Sequence, residues 1–247
     1  MTRTLLTTLL LGGNALAQTP ARTPATTPTP AAVAKPPQDW AQLGRYAADN
    51  EALPVPVAGE PRVVFLGDSI TDSWGRKPGT IFFPGKPYVN RGISGQTTPQ
   101  MLVRFEQDVV RLHPAVVVIL AGTNDVAGNT GPETPAMIED NFRAMTDIAR
   151  QNGIRPVLAS ITPAAAYPWR PGVVSVPVIL ELNGWLKQYC AEQHLVYLDY
   201  YSAMADEDGA MKPGLSSDGV HPTEAGYAVM APLAEAAIAA ALKQETP

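Results

Sequence analysis

The chain has 247 residues, of which 45% are hydrophobic and 17% charged, and its formal net charge is −5. Acidic and basic residues are mixed and no basic run or stripe occurs, which argues against nucleic acid as a partner. Cys190 is the only cysteine, so an intrachain disulfide is excluded, and with three histidines the chain offers no convincing zinc site.

The first 17 residues have the pattern of a secretory signal peptide. A basic residue, Arg3, precedes a leucine-rich run at 5–11, and Ala15 and Ala17 supply the small residues that signal peptidase reads. We therefore predict cleavage near Ala17 and a secreted or periplasmic mature protein, with a frayed N-terminal helix as the alternative. No cysteine lies near this point, which argues against a lipoprotein anchor.

Residues 18–37 are mostly threonine, alanine and proline, with almost nothing to bury. Such a segment cannot offset its ordering entropy, so we predict an extended, mobile linker. The remaining segment, 38–247, has the size of one domain with one core. None of its apolar runs is long enough to cross a membrane, so no stable membrane insertion is expected. The sequence does not indicate an oligomeric state.

Continuous apolar segments alternate with helical patterns along this domain. The apolar segments predict buried parallel strands, because strands covered on both faces lack the alternation of half-exposed ones. They are 62–66, 88–93 (the weakest), 115–121, 155–161 and 195–200. The predicted helices are 40–50, 98–111, 134–152, 177–193 and 223–242. This alternation predicts an open α/β sheet with helices on both faces.

Chemically capable residues follow the predicted strands. In such a sheet the carboxyl ends of the strands form one edge, where ligands bind. Ser69 follows the first strand, Gly95 the second and Asn124 the third, and Asp218 and His221 follow the last. Each residue alone has an ordinary structural explanation, such as a helix cap or a turn. All five at one edge are better explained by a catalytic site.

The five residues fit one reaction. A serine hydroxyl is a weak nucleophile until a base such as His221 takes its proton. Asp218, three residues before His221, is close enough to hold the imidazole in the required tautomer. The backbone N–H groups of Ser69 and Gly95 and the side-chain amide of Asn124 can stabilise a tetrahedral oxyanion. The sequence has neither a Gly-x-Ser-x-Gly nucleophile elbow nor a phosphate-binding P-loop.

Four ordered blocks resemble those of the SGNH hydrolases, or GDSL esterase/lipase family. They read FLGDSIT, NRGISGQTT, AGTND and SSDGVHPTEAGY, within residues 62–227. The eponymous residues would be Ser69, Gly95, Asn124 and His221, with Asp218 as the triad acid. The resemblance implies a flavodoxin-like three-layer α/β/α fold, a five-stranded parallel sheet, and ester hydrolysis with no metal or other cofactor. The first block has isoleucine in place of the family's leucine, which keeps the apolar anchor.

The substrate is less well indicated. Trp74, Tyr167, Trp169 and Arg170 lie near the predicted edge, where aromatic faces stack on sugars and arginine binds carboxylate or phosphate. We expect a serine esterase that acts on small-molecule or carbohydrate esters with short acyl chains, plausibly deacetylating O-acetylated carbohydrate. The alternatives are a lysophospholipase, a general short-chain esterase or thioesterase, and a catalytically silent carbohydrate-binding module. The loop 164–176 has no assigned role, and its aromatic residues have packing as an equal explanation.

Overall fold

The computed structural model describes residues 39–245. The predicted signal peptide at 1–17 and linker at 18–37 lie outside the described residues. The described residues belong to one compact domain that begins at Asp39.

All five predicted strands form, and they pair in one parallel sheet. Their order is β2-β1-β3-β4-β5. Every residue of β1 and β3 is buried, as expected for central strands covered on both faces. The strands are β1 (Val63–Gly67), β2 (Tyr88–Gly92), β3 (Val116–Leu120), β4 (Arg155–Ala159) and β5 (Val196–Leu198).

Helices lie on both faces of this sheet, so the predicted three-layer α/β/α fold is confirmed. The helices are α1 (Ala47–Ala52), α2 (Ser69–Ser73), α3 (Thr98–Val103), α4 (Phe105–Asp108), α5 (Thr123–Val126), α6 (Pro135–Gln151), α7 (Val176–Glu192), α8 (Tyr200–Met204) and α9 (Glu224–Ala241). Two apolar cores form between the layers. One joins the sheet to α3, α4, α6 and α7, and the other joins it to α2, α8 and α9.

Two predicted helices differ from those observed. The helix expected at 98–111 is broken into α3, α4 and a 3₁₀ turn at Val110–Leu112. The break falls at Arg104, whose side chain is completely buried and bonds strand carbonyls instead of lying on a helix surface. The lead-in helix expected at 40–50 forms only as α1, because Gln42 has a φ of 53° and the chain turns there.

The strand order places the site at a switch point of the sheet. The chain leaves β1 toward β2 and leaves β3 toward β4, in the opposite direction along the sheet, and the helices α2 and α6 in these two connections pack on opposite faces. Consequently the residues that follow β1, β2 and β3 meet at one edge. In the described part of the chain, no helix is both long and apolar enough to cross a membrane.

Candidate active site

Ser69 begins α2 directly after β1, and the turn that presents it is unusually tight. Asp68 is the N-cap of α2, and its Oδ1 accepts a hydrogen bond from the backbone N–H of Ile70 at 2.9 Å. A Cβ on Gly67 would lie 2.1 Å from Oγ1 of Thr71. The turn therefore requires glycine before the acid, which gives the Gly-Asp-Ser sequence a structural reason of its own.

Three side chains form a continuous hydrogen-bonded chain at this edge. Oγ of Ser69 lies 2.8 Å from Nε2 of His221, and Nδ1 of His221 lies 2.7 Å from Oδ2 of Asp218. With the proton on Nδ1, the ring donates to Asp218 and leaves Nε2 free to accept from the Ser69 hydroxyl. In this arrangement the imidazole can take the serine proton while the carboxylate stabilises the resulting charge.

The carboxylate of Asp218 is held by its own loop. Its Oδ1 accepts hydrogen bonds from the backbone N–H groups of Val220 and His221, at 2.9 and 2.8 Å. Partial burial raises the pKa of Asp218, but the hydrogen bonds from His221 and Val220 outweigh this effect and hold the pKa below its usual value. Asp218 therefore remains ionised beside the ring at neutral pH.

Gly95 and Asn124 line the same cleft as Ser69. Gly95 follows β2 with a φ of 80°, which favours glycine. Asn124 lies in α5, directly after β3, and only 2% of its surface is exposed. Its Nδ2 donates to the carbonyl of Gln96 at 3.0 Å. Both residues line a cleft that also contains Ser69 and His221, so an ester carbonyl in the cleft can meet both.

A second carboxylate, Asp68, is buried beneath the site and was not predicted as a site residue. Its Oδ2 lies 3.4 Å from Nδ2 of Asn124. Burial raises the pKa of Asp68 to about 6, although the hydrogen bond from Ile70 and the proximity of His221 act in the opposite direction. Asp68 therefore titrates near the range in which the site is expected to work.

Arg104 joins the turns on which the site is built, and sequence reasoning missed it. Its guanidinium donates to the carbonyls of Gly67 at 3.0 Å and Arg91 at 2.8 Å, and to Oε1 of Gln96 at 2.5 Å. It also forms a fully buried ion pair of 3.1 Å with Asp108. An arginine on the apolar side of the predicted helix 98–111 was the signal that could have revealed it.

The structure separates the four residues predicted to bind substrate. Trp169 is 40% exposed, and its ring centroid lies 5.8 Å from that of His221. Arg170 is exposed beside it and donates to the carbonyl of Gly128. The prediction is corrected for Trp74 and Tyr167, which are 2% and 1% exposed and so offer no ring face to a ligand.

The physical reason is that both rings complete apolar cores. Trp74 packs against Phe65, Phe83 and Tyr227, and its indole N–H donates to the carbonyl of Ile81. The hydroxyl of Tyr167 lies 3.1 Å from Oγ1 of Thr123, within the other core. For these two residues packing, which was the competing explanation, accounts for the aromatic side chain.

The cleft over Ser69 has a volume of about 520 Å³. Sequence reasoning missed five of the residues that line it, because each lies in a loop or a helix end with no recognisable motif. These five are Ser73, Lys77, Ser94, Asn129 and Ser217. Trp169 is the only large apolar side chain that lines this cleft in the described part of the chain. Apart from Trp169 the lining residues are polar or glycine, although carbon atoms form much of the exposed wall.

Comparison with known families gives one match over most of the domain. The sequence profile of the GDSL-like lipase/acylhydrolase family matches residues 65–229. The matched range begins in β1 and ends in α9, so it contains Ser69, Gly95, Asn124, Asp218 and His221.

Two known proteins have sequences similar to the chain. One is an acetylxylan esterase of Geobacillus stearothermophilus, 26% identical over 202 residues that cover 69% of this chain and 90% of that protein. The other is the uncharacterised lipoprotein YqeF of Bacillus subtilis, 32% identical over 123 residues. That match covers 48% of this chain and 41% of YqeF, less than half of its length.

Solved structures are more similar. The crystal structure of a proposed acylhydrolase from Bacteroides fragilis has a TM-score of 0.81 and 44% identity, and covers 84% of this chain and 100% of that one. A GDSL-like lipase from Bacteroides thetaiotaomicron has a TM-score of 0.78 and 43% identity, and the match covers 81% of this chain and 98% of that one. The sequence profile and these solved structures thus point to the same family.

Proposed function

The chain belongs to the GDSL-like lipase/acylhydrolase family and is a carboxylic-ester hydrolase, and we propose that Ser69 is its nucleophile, His221 its base and Asp218 its triad acid. One observation carries this proposal. It is the continuous contact from Oγ of Ser69 through the His221 ring to Asp218, with distances of 2.8 and 2.7 Å. Such a chain is the requirement for activating a serine hydroxyl.

The proposed reaction has two steps. Oγ of Ser69 attacks the ester carbonyl while Nε2 of His221 takes its proton, and the C=O electrons form an oxyanion. When the carbonyl re-forms, the ester C–O bond breaks and His221 protonates the departing alcohol, which leaves an acyl group on Ser69. A water molecule then gives its proton to His221 and attacks the acyl group. The collapse releases the acid and returns the proton to Ser69.

We propose three donors for the oxyanion: the backbone N–H groups of Ser69 and Gly95 and Nδ2 of Asn124. Their positions after β1, β2 and β3 at one edge support the assignment. Donors fixed by the fold stabilise developing charge without having to reorganise during the reaction, and this effect is commonly the largest in acyl transfer.

The proposed substrates are short-chain acyl esters, with O-acetylated carbohydrate as the favoured class. A cleft lined by polar residues and one exposed tryptophan beside His221 suits a sugar that stacks on Trp169. The name of the acetylxylan esterase relative agrees with this class. A long acyl chain would need several large apolar side chains to pack against, and among the described residues Trp169 is the only one that lines this cleft. The alternatives remain a lysophospholipase, a general esterase or thioesterase, and a silent carbohydrate-binding module.

We further propose that the protein acts outside the cytoplasm, either secreted or periplasmic. The signal-like pattern of residues 1–17 supports this location. The relative YqeF is named a lipoprotein, which is also an exported class. N-terminal sequencing of protein secreted by a bacterial host should find a new terminus at or near Gln18, and an intact Met1 would contradict the proposal.

The nucleophile is tested by labelling. A phosphonate ester should modify Ser69 alone, and Ser69→Ala should abolish both labelling and the hydrolysis of p-nitrophenyl acetate while the thermal unfolding temperature stays the same. Ser73, which lines the same cleft, supplies the matched control, because Ser73→Ala should keep both. Labelling at another residue, or full activity of Ser69→Ala, would refute the assignment.

The substrate class is tested separately. The value of kcat/KM should fall from p-nitrophenyl acetate to p-nitrophenyl octanoate, because the cleft has only one large apolar side chain, Trp169, against which extra methylenes could pack. Trp169→Ala should reduce kcat/KM for an acetylated xylo-oligosaccharide more than for p-nitrophenyl acetate, since only the sugar uses the ring. A preference for octanoate would favour the lysophospholipase alternative instead.

A further inference from the structure

Asn129, in the loop after α5, contacts both sides of the cleft. Its Nδ2 donates to Oδ1 of Asn124 at 2.8 Å and to the carbonyl of Gly95 at 3.2 Å. Its Oδ1 accepts from Nε1 of Trp169 at 3.0 Å. One partly exposed side chain thus contacts two of the proposed oxyanion residues and the exposed tryptophan.

The hydrogen-bond partners of Asn129 allow its side-chain amide only one orientation. An indole N–H only donates and a backbone carbonyl only accepts, so the amide oxygen must face Trp169 and the amide nitrogen must face Gly95. A rotated amide would place oxygen against oxygen at Gly95 and N–H against N–H at Trp169. The orientation of Asn129 is therefore fixed from both ends.

The orientation of the Asn129 amide in turn determines that of the Asn124 amide. Because Asn129 presents N–H to Asn124, the oxygen of Asn124 must face Asn129 and its Nδ2 must face away. On that other side Nδ2 meets only acceptors, the carbonyl of Gln96 and the carboxylate of Asp68. The Asn124 amide is thus held with its donor end toward the nucleophile turn, as an oxyanion donor requires.

We propose that Asn129 is a positioning residue that sets the orientation of the Asn124 amide, and so holds this oxyanion donor in its active geometry. This inference rests on the proposed function. It is separate from a role in closing the loop, because the backbone N–H of Asn129 already bonds the carbonyl of Asn124 at 3.0 Å without the side chain.

The main test is Asn129→Leu, which keeps the size of the side chain but removes all three hydrogen bonds. On p-nitrophenyl acetate kcat should fall on the order of 10–100-fold, less than the loss of a direct oxyanion donor, with KM nearly constant. Asn129→Asp keeps the acceptor for Trp169 and removes the donors, so it should lose a similar factor. The thermal unfolding temperature of both variants should stay close to that of the wild type.

The second test asks whether Asn129 acts through Asn124. In an Asn124→Ala background, adding Asn129→Leu should lower kcat by less than about a further threefold, because the amide that Asn129 orients is gone. If the two losses multiply in full, the positioning role is wrong. Thr130→Val is the matched control: Thr130 is next to Asn129 in the loop, but its side chain hydrogen-bonds Thr97 and Glu133, so kcat should fall less than about threefold.

The outcomes separate the two proposals. Wild-type protein without Ser69-dependent hydrolysis would defeat the proposed function and this inference together. Wild-type hydrolysis that depends on Ser69, with an unchanged kcat in Asn129→Leu and Asn129→Asp, would defeat the inference alone. A rise in KM at constant kcat would show that Asn129 binds substrate and does not position the oxyanion hole.

Discussion

The two halves of the site are built in opposite ways. On the base side, the side chains of His221 and Asp218 are 28% and 38% exposed, and the hydrogen bonds that hold Asp218 come from residues 216–221. On the oxyanion side Asn124 and Asp68 are at most 2% exposed. Their mutual contact joins positions 56 residues apart.

The difference follows from what each half must do. A base exchanges protons in every turnover, so contact with solvent is useful and local hydrogen bonds are enough to orient it. An oxyanion hole must not reorganise when charge develops, and Asn124, its proposed side-chain donor, is fixed by the folded core around it. We therefore expect changes on the base side to affect rate with little effect on stability, and changes beneath the oxyanion side to affect both.

The largest expected effect is on the base side. Asp218→Asn keeps the size of the side chain but no longer holds His221 in the required tautomer, so kcat should fall about 10⁴-fold. Because Asp218 is partly exposed and its loop is local, the urea midpoint should change little. The control is Ser217→Ala, in the same loop and also lining the cleft, and its kcat should stay within a few-fold of the wild-type value. A marked loss of stability in Asp218→Asn would contradict the expectation that changes on the base side affect rate with little effect on stability.

The next effect is on stability beneath the oxyanion side. Arg104→Met removes the bonds to Gly67, Arg91 and Gln96 and leaves Asp108 buried without its charge partner, which should cost about 3–5 kcal/mol of the free energy of unfolding. The matched control is Arg143→Met.

Arg143 pairs with Glu139 and Asp140 at the surface, where such pairs contribute below about 1 kcal/mol. Urea denaturation of the two variants measures the difference directly. Equal losses would mean that the buried network does not hold the site. A lower kcat in Arg104→Met under conditions where the variant is folded would sharpen the comparison.

Asn124→Ala should remove one oxyanion donor. The expected result is a fall in kcat on the order of 10²–10³-fold, with KM nearly unchanged, because the donor acts mainly in the transition state. Steady-state kinetics on p-nitrophenyl acetate gives both constants. An increase in KM at constant kcat would instead assign Asn124 to substrate binding and move it out of the oxyanion half.

The smallest effect concerns Asp68 and pH. Burial raises its pKa to about 6, above an unfolded value of about 4, so the folded state binds the proton more tightly. The contribution of Asp68 to stability is therefore fully present below about pH 4 and is lost as pH rises through about 6.

Asp68→Asn does not titrate, so its stability relative to the wild type should increase between pH 4 and pH 7 by roughly 2–3 kcal/mol. Urea unfolding of both proteins at pH 4, 5, 6 and 7 measures this difference. A difference that stays constant with pH would mean that Asp68 is not the buried titrating acid of the oxyanion side.

The sequence by itself determined the sheet, its covering helices and the edge at which the site residues meet. Continuous apolar runs indicate strands buried on both faces, and the parallel order brings their carboxyl ends together, so Ser69, Gly95 and Asn124 could be assigned to one edge. The pairing of Asp218 with His221 was also predictable, because three residues in one turn fix that distance locally.

Only the tertiary structure decided what lies around that edge. Trp74 and Trp169 are the same residue type and both follow strands, yet one is buried in a core and the other lies beside His221. The sequence also did not predict the break in the helix expected at 98–111, or the hydrogen-bond partners of Arg104 and Asn129. Burial and hydrogen-bond partners depend on which distant elements pack together, and the spacing of residues along the chain does not show which elements those are.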